Sequence, residues 1–523
     1  MPKQAIHRRR SGFMSGRFIL AILSVAMLAI GDVASQEKEP AFPNIVLVLA
    51  DDMGLDAVSA YHPGMGLKTP AIDRLAQEGM SFTDAHSTSS VCSPTRYSLL
   101  TGRYNWRSRL KRGIVSTWGS PLIEDERLTL PEMLRAKGFD TACIGKWHLG
   151  WNWPKKGGGT TSNWKEIDFK AAVKGGPVDH GFDAYFGDDV PNWPPYAWRQ
   201  DDHILGEIDS QMKGHAMIGV SAGPAVKDWD FRAVLAEYGR RASDYVRARV
   251  GQPKPFFLFL SLPSPHTPIA PHADFRGKSG ISEYADFLLQ TDAVVGQLVQ
   301  ALEAAELFED TLFIFTCDNG TSPKCDFETL EKAGVHLRQN WRGWKADAFE
   351  GGHRVPFIVR WPEHVAPGTR CTQTITLADV MATCAEVVGF ELAANTAEDS
   401  ASLLGILNGS KDGPVHEVVV HHSISGHFAV RKGRWKLLLC HGSGGWSPPR
   451  ENEAKDLGLP PVQLYDLDAD PRETTNLHQK HPEIVQQLTQ DLRDLVEAGR
   501  STPGPRQENH GGKLSWPGLP WHR

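Results

Sequence analysis

The sequence has no surplus of positive charge. Its formal net charge is −6, so it lacks the basic field that holds nucleic acid, and that partner class is set aside. It has no internal repeat, which sets repeat arrays aside. Beyond the N-terminus no apolar run is long enough to cross a bilayer. Its seven cysteines, an odd number, have no zinc-ligand spacing. Six could pair and one could be special. Cys317 and Cys325 are near enough in sequence to be bridged, although spacing alone fixes no pairing.

What is present begins with a targeting segment. His7-Arg8-Arg9-Arg10 and Arg17 make a basic start, and Phe18 to Ile30 is an apolar run too short to span a membrane comfortably. Val33-Ala34-Ser35 offers small residues for cleavage before Gln36. No cysteine follows that run closely, which argues against a lipid anchor. The expectation is a cleaved signal peptide over 1–35 and an exported protein, periplasmic or secreted. The alternative is an uncleaved anchor.

The length of 523 residues suits one large domain with a smaller companion. The 50 glycines and 35 prolines imply many loops, and each of the 16 tryptophans reads first as core packing. NIVLVLA (44–50), TACIG (141–145), PFFLFLSL (255–262), TLFIFT (311–316) and PFIVR (356–360) read as strands, the long apolar ones buried as in a parallel sheet. Thr69 to Gly79, Leu128 to Lys137 and Ser282 to Leu307 read as helices. This alternation predicts an α/β domain over 36–400, a large, mostly parallel or mixed sheet sandwiched by helices. Residues 150–235 read as long loops over a pocket. Short strands near 418–422, 427–432, 435–440 and 463–466, with a helix over 482–498, predict a smaller α+β part over 410–500 with an antiparallel sheet. Residues 501–523 read as a tail.

The chemistry-bearing residues sit after strand ends, where open α/β sheets place their sites. Asp51-Asp52 and Asp318-Asn319 are hard oxygen donors that suit Ca²⁺ or Mg²⁺. An isolated Asp-Asp, however, reads first as a cap or turn, and adjacent carboxylates repel unless a cation or proton lies between them. Asn319-Gly320-Thr321 also matches a glycosylation sequon, a weak signal at this length. Cys92-Ser93-Pro94-Thr95-Arg96 opens a helix that Gly102 ends, with Leu99 and Leu100 inward. Residue 92 is then at an anion-favouring helix end with Arg96 over the same face. Composition alone still ranks a structural or disulfide Cys92 ahead of a nucleophile. Lys146, His148, His266 and Lys345 add cationic and proton-transferring groups. Together these residues point to metal-assisted hydrolysis of an anionic ester.

CSPTR (92–96) running on to LTGR (100–103) resembles the C-x-P-S/T-R…L-T-G-R signature of the type I sulfatases, in the alkaline phosphatase superfamily. GKWHLG (145–150) resembles the family's second signature. The resemblance runs in order from about Pro43 to about Leu495 and includes LYDL (464–467). It implies that Cys92 is oxidised to Cα-formylglycine by a maturation enzyme, which accounts for the unpaired cysteine. It implies that Asp51, Asp52, Asp318 and Asn319 bind Ca²⁺ with residue 92. By the same resemblance, one hydroxyl of the hydrated aldehyde would attack sulfur, with a carboxylate such as Asp318 as base, and Arg96 would stabilise the ionised form. Lys146, His266 and Lys345 would hold sulfate oxygens, His266 or Lys345 would protonate the leaving alcohol, and His148 would take the second hydroxyl's proton. SPHTP (264–268), RGWK (342–345) and FEGGHRVP (349–356) fit the family context, whereas Cys317 stands where Ser is common. Residues that recognise the substrate do not transfer. His180, His203, His272, His336 and the Trp-rich loops between 147 and 198 are candidates that read first as packing.

The expected activity is sulfate-ester hydrolysis on a sulfated carbohydrate or aryl sulfate. Two other readings stay open: a phosphodiesterase or phosphonate hydrolase with the same signature, and a non-catalytic binder of sulfated glycan.

Overall fold

The computed structural model describes residues 42–510 together with Trp516 and Leu519. The expected signal segment lies outside the described residues. Strand β1, Asn44–Ala50, is buried along its whole length, as an apolar β-branched run covered on both faces must be. The sheet around it contains β2 (Met80–Phe82), β3 (Asp140–Lys146), β4 (Ala184–Asp188), β5 (Arg199–Gln200), β6 (His203–Ile204), β7 (Phe256–Ser261), β8 (Thr311–Cys317), β9 (Phe357–Arg360) and β10 (Thr369–Cys371). The order is β10-β2-β9-β8-β1-β7-β3-β4-β5-β6. The centre from β8 to β4 is parallel, and antiparallel pairs appear on either side of it, at β8–β9 and β4–β5. The mixed sheet of the sequence reading is therefore present.

Two groups of helices pack the sheet. One contains α1 (Pro70–Glu78), α4 (Val234–Arg247) and α5 (Glu283–Ala304), the other α2 (Cys92–Thr101), α3 (Leu130–Ala136) and α6 (Asp379–Val387). Local signals set their ends. Thr129 opens α3 with a capping box: its Oγ1 accepts from Glu132 N at 3.3 Å and its N donates to Glu132 Oε2 at 2.9 Å. Gly102, at φ 64°, closes α2 in the left-handed conformation that suits glycine.

The stretch read as loops also holds β4, which extends the parallel sheet, and α4 follows it directly. Five residues (AYFGD) are too few to show a period, whereas α4 has apolar residues at helical spacing, Val234, Leu235, Tyr238, Ala242 and Val246, a signal that the sequence reading left unused.

The C-terminal sheet is the antiparallel meander β11 (Val419–His422), β12 (Phe428–Lys432), β13 (Trp435–Leu438) and β14 (Gln463–Asp466). Helix α7, Pro482–Ala498, buries Leu488, Leu492 and Val496 against Val420, Val430 and Leu437. Residues 501–510 are irregular but tied down: His510 N donates to Arg107 O at 2.7 Å. Trp516 Nε1 donates to Trp106 O at 2.9 Å inside the same core.

The seam between the two sheets is ionic and buried. Lys436 Nζ lies 2.9 Å from both Glu350 Oε1 and Glu473 Oε1. Asp84, Arg354 and Arg431 continue the network around His86, His353 and His421. Burial holds all three imidazoles below their ordinary pKa.

All seven cysteines are free and buried, so the possible Cys317–Cys325 bridge is not formed. Cys317 Sγ instead accepts from Met53 N at 3.0 Å, inside the sheet core. No helix of the described residues is long and apolar enough to cross a membrane.

Candidate active site

Strands β8, β1, β7 and β3 are neighbours, so residues far apart in sequence emerge at one edge. Asp51 and Asp52 follow β1, and Asp318 and Asn319 follow β8. Lys146 ends β3 with His148 two residues on, and His266 follows β7. Gly145 makes the close approach possible: a Cβ there would sit 1.9 Å from Ser261 O. Two side chains reach the site from left-handed backbone, Asp52 at φ 66° and His148 at φ 57°.

Cys92 is the first residue of α2, and every residue of that helix is buried. Its Sγ lies 3.6 Å from Asp51 Oδ1 and 3.5 Å from Lys345 Nζ. Lys146 Nζ pairs with Asp51 Oδ2. Lys345 Nζ pairs with Asp52 Oδ1 at 2.6 Å, and His266 Nε2 stands 3.9 Å from Asp52 Oδ2. Arg96 is the hub. It donates to Asp318 Oδ2 through Nε (3.1 Å) and Nη2 (2.9 Å), to Asp51 Oδ2 (3.4 Å), to Lys146 O (3.1 Å) and to Ser261 Oγ (2.5 Å). The fold thus brings together all ten residues singled out from the sequence. Its finer detail is that Asp318 Oδ2 faces Arg96, while Asp318 Oδ1 accepts from Asp52 N at 3.3 Å.

The charges are strongly coupled. Burial pushes Asp51 up, but Lys146, His266, Arg96 and Lys345 outweigh it and hold the carboxyl well below its usual range. Burial, with Asp51 alongside, lifts Asp318 to about 6. Burial and the Asp51 carboxylate push the Cys92 thiol up to about 12, so it is protonated at neutral pH. Burial and Lys345 lower His266 to about 4. Burial, Lys146 and Arg96 hold His148 well below its ordinary value.

The donor set fits a hard cation. Ligand atoms of Asp51, Asp52, Cys92 and His266 lie within 4.8 Å of one another. Asn319 uses Nδ2 to bond Asp52 Oδ1 at 2.7 Å and Gly320 O at 3.0 Å, which leaves its buried Oδ1 without a hydrogen-bond partner. A buried amide oxygen beside three carboxylates is what a divalent cation takes. Asn319 is fully buried, so its sequon is not open to a glycan.

Several residues at the site carried no sequence signal. His148 Nε2 meets Val115 O at 3.2 Å, so Nε2 carries the hydrogen and the unpartnered Nδ1 carries the lone pair. Asp189 Oδ1 accepts from His148 N at 3.1 Å. Asp347 Oδ1 accepts from Trp446 N at 2.7 Å and Ser447 N at 3.0 Å, while Oδ2 accepts from Trp344 N at 3.0 Å. The cavity above Cys92 has a volume of about 230 Å³, with walls that include Ile114, Val190, Trp193, Ile424 and Trp446. Of the loop aromatics, Trp193 lines it, set edge-on to His148 with centroids 5.2 Å apart. Trp147, Trp151 and Trp153 are core, and His180 stacks on Trp147. His203 pairs with Asp202 and His272 with Asp274, both outside the cavity, and His336 lines a different one.

Comparison with known proteins agrees with this geometry. The sulfatase family model matches residues 43–390, and the model of the N-sulphoglucosamine sulphohydrolase C-terminal region matches 343–498. An N-acetylgalactosamine-6-O-sulfatase of Bacteroides thetaiotaomicron is 32% identical over 486 residues, covering 87% of this chain and 93% of the relative. Human arylsulfatase A is 31% identical over 470 residues, covering 86% of each. A solved structure from work on glycosaminoglycan metabolism by Bacteroides thetaiotaomicron superposes with a TM-score of 0.75 at 29% identity, covering 87% of this chain and 99% of the other. With the strand-end cluster and these matches in hand, the chain belongs to the type I sulfatases of the alkaline phosphatase superfamily and is a sulfuric ester hydrolase.

Proposed function

We propose that the protein is an exported sulfatase that removes sulfate from a sulfated carbohydrate through a Cα-formylglycine formed from Cys92 by a maturation enzyme. In this reading residues 36–400 are the catalytic part and 410–500 a smaller part that walls the pocket. The observation that carries the reading is the place of Cys92. Its Sγ is buried at the first turn of α2, 3.6 Å from Asp51 Oδ1 and 3.5 Å from Lys345 Nζ, within the cluster that also holds Asp52, Lys146 and Arg96. The same surroundings suit an oxygen nucleophile and a sulfate group.

As the hydrated aldehyde, residue 92 would supply two hydroxyls, one to displace the alcohol at sulfur and one whose deprotonation releases sulfate. Asp51, Asp52, Asp318 and Asn319 would hold Ca²⁺ together with residue 92, and its charge would neutralise sulfate oxygen. Lys146, His266 and Lys345 bind the remaining sulfate oxygens. Arg96 keeps negative charge on residue 92 and holds Asp318 in place. Asp318 accepts the first proton, Lys345, or His266 once the bound sulfate's negative charge favours its protonated form, returns one to the leaving alcohol, and His148 Nδ1 accepts the second. The relatives' names support a sulfated sugar, N-acetylgalactosamine 6-sulfate among them, as substrate class.

The test is a peptide mass spectrum across residue 92 of native-host protein, paired with sulfate release. An aldehyde at residue 92, with sulfate freed from a sulfated glycan or 4-nitrophenyl sulfate, is expected. Unmodified Cys92 in protein that still turns over would overturn the mechanism. Faster cleavage of phosphate diesters than of sulfate esters would overturn the substrate.

A further inference from the structure

A second cavity, about 390 Å³, opens behind the segment that carries Lys345. It shares no lining residue with the catalytic cavity: Lys345 faces one and Trp344 the other. Its walls carry Arg338, Arg342, Arg472 and His336, with the partly exposed rings of Trp341 and Trp344. Its one carboxylate, Glu331, is taken by Arg338 at 2.7 Å. Arg342 is anchored by neutral acceptors, Glu473 O and Tyr465 Oη, and stacks 3.9 Å over Phe349. Arg472 is exposed, and neither it nor Arg342 makes an ion pair among the described residues. A chain of net charge −6 thus concentrates uncompensated guanidinium groups around two indoles at one cavity.

That chemistry selects a ligand. Planar guanidinium forks match sulfate and carboxylate. Indole faces take the apolar face of a ring. Arg354 lies 4.0 Å over one face of Trp341, and Trp344 packs against Phe327 with centroids 5.8 Å apart, so each indole is braced. We propose that this cavity is a non-catalytic site for an anionic sugar, sulfated or carboxylated, within the polymer whose end occupies the catalytic pocket. It rests on the sulfated-glycan reading given above. Its role is to hold the chain near the nucleophile between turnovers. An acidic protein segment would use the arginines but not the indole faces.

The experiment uses the full chain with Cys92→Ala, so that substrate is bound and not consumed. The probe is a disaccharide of uronic acid and N-acetylgalactosamine 6-sulfate, short enough to occupy one cavity at a time, titrated by calorimetry beside its desulfated counterpart and a poly-glutamate peptide. Two binding events are expected for the sulfated probe. Arg472→Glu should weaken one event about tenfold or more and leave the other unchanged. In matured enzyme, Arg472→Glu should keep kcat/KM on 4-nitrophenyl sulfate within about twofold and lower it on the polymer about tenfold. Arg338→Gln, a second variant at the same wall, should weaken the same event. A single binding event, or two that ignore both substitutions, overturns the proposal. Equal binding of poly-glutamate also overturns it, in favour of an acidic protein partner. Failure of the sulfatase reading is seen separately, as no sulfate release by matured wild type from either substrate.

Discussion

Asp189 touches no reacting atom, yet the geometry makes it a positioning residue for His148. His148 sits at φ 57°, in a left-handed conformation that costs a β-carbon residue about 1–3 kcal/mol. Its N–H is aimed at Asp189 Oδ1, 3.1 Å away and fully buried. A buried hydrogen bond to a carboxylate is worth about 1.5–3 kcal/mol, enough to offset that strain. Burial pushes Asp189 up and Arg199 counters it, so the carboxylate is already held in a costly place for this contact. Asp189→Ala removes the acceptor and leaves the strain uncompensated. About 2–3 kcal/mol of lost positioning corresponds to a fall in kcat of roughly 10²-fold. KM should move less than about threefold, since the substitution leaves Lys146, His266 and Lys345, the proposed sulfate ligands, in place. Asp189→Asn keeps an acceptor oxygen and should recover activity to within about tenfold of wild type, because neutral bonds are about half as strong. The assay is steady-state hydrolysis of 4-nitrophenyl sulfate by protein whose conversion at residue 92 is measured in parallel. Asp189→Ala within threefold of wild type, or Asp189→Asn no better than Asp189→Ala, would refute the reasoning.

Three further outcomes follow from the same contacts. Lys345→Ala removes a donor between Cys92 and Asp52 and should lower kcat by about 10²–10³-fold, while a Tm held near wild type separates chemistry from folding. Dialysis against a chelator should abolish turnover and lower Tm, Ca²⁺ should restore both, and Asn319→Ala should raise the Ca²⁺ needed by about tenfold or more. His416 Nε2 bonds Asp379 at 2.8 Å; burial lowers its pKa, but Asp379 wins and raises it. Its stabilisation is therefore full below the unfolded value of about 6.5 and is lost as pH rises through the folded one. His416→Gln should cost more Tm at pH 5.5 than at pH 9, and an equal cost at both would contradict that sign.

The strands and the site were legible in the sequence for one physical reason. A strand buried on both faces must be a continuous apolar run, and its end is marked where polar residues begin. NIVLVLA followed by Asp-Asp, and TLFIFTC followed by Asp-Asn, carry that signal without ambiguity. β4 did not, because its five residues include a glycine and an aspartate. Contacts that depend on long-range closure were also silent. Nothing local in Val115 announces that its carbonyl fixes the tautomer of His148, because a carbonyl is common to every residue. Asp347 looks like any loop aspartate until Trp446, about a hundred positions on, is folded against it. The unpaired cysteines were misleading in the other direction. The export expected from the sequence suggests disulfides, but all seven thiols lie in well-packed interior where no partner sulfur is in place.

The smaller sheet bears on catalysis through the loop that presents residue 92. Ser89 Oγ and Ser90 N both donate to His422 O, the last residue of β11, at 3.0 Å. Ser89 O in turn accepts from Thr95 Oγ1 at 2.9 Å, which ties the loop to the first turn of α2. On the opposite side, Ile424 N donates to Ala346 O at 3.1 Å, and Ala348 N donates to Ser443 O at 2.8 Å. These bonds clamp the residues flanking Lys345 to the loops of the same sheet. The proposed nucleophile position and the Lys345 ammonium, 3.5 Å apart, are also tied to each other directly, since Ala346 N donates to Ser90 O at 2.8 Å, and the smaller sheet braces both sides of that link. Loosening that seam should disturb the Cys92–Lys345 spacing before it unfolds the core around β1, because the seam is polar and the core is not. Lys436→Met tests this. It leaves Glu473 without its cation while Glu350 keeps Arg354 at 2.7 Å, a loss of about 3–5 kcal/mol when one partner of a buried pair is removed. Activity should then disappear at temperatures where far-ultraviolet dichroism still reports an intact sheet. Simultaneous loss of both signals would mean that the two sheets form one cooperative unit.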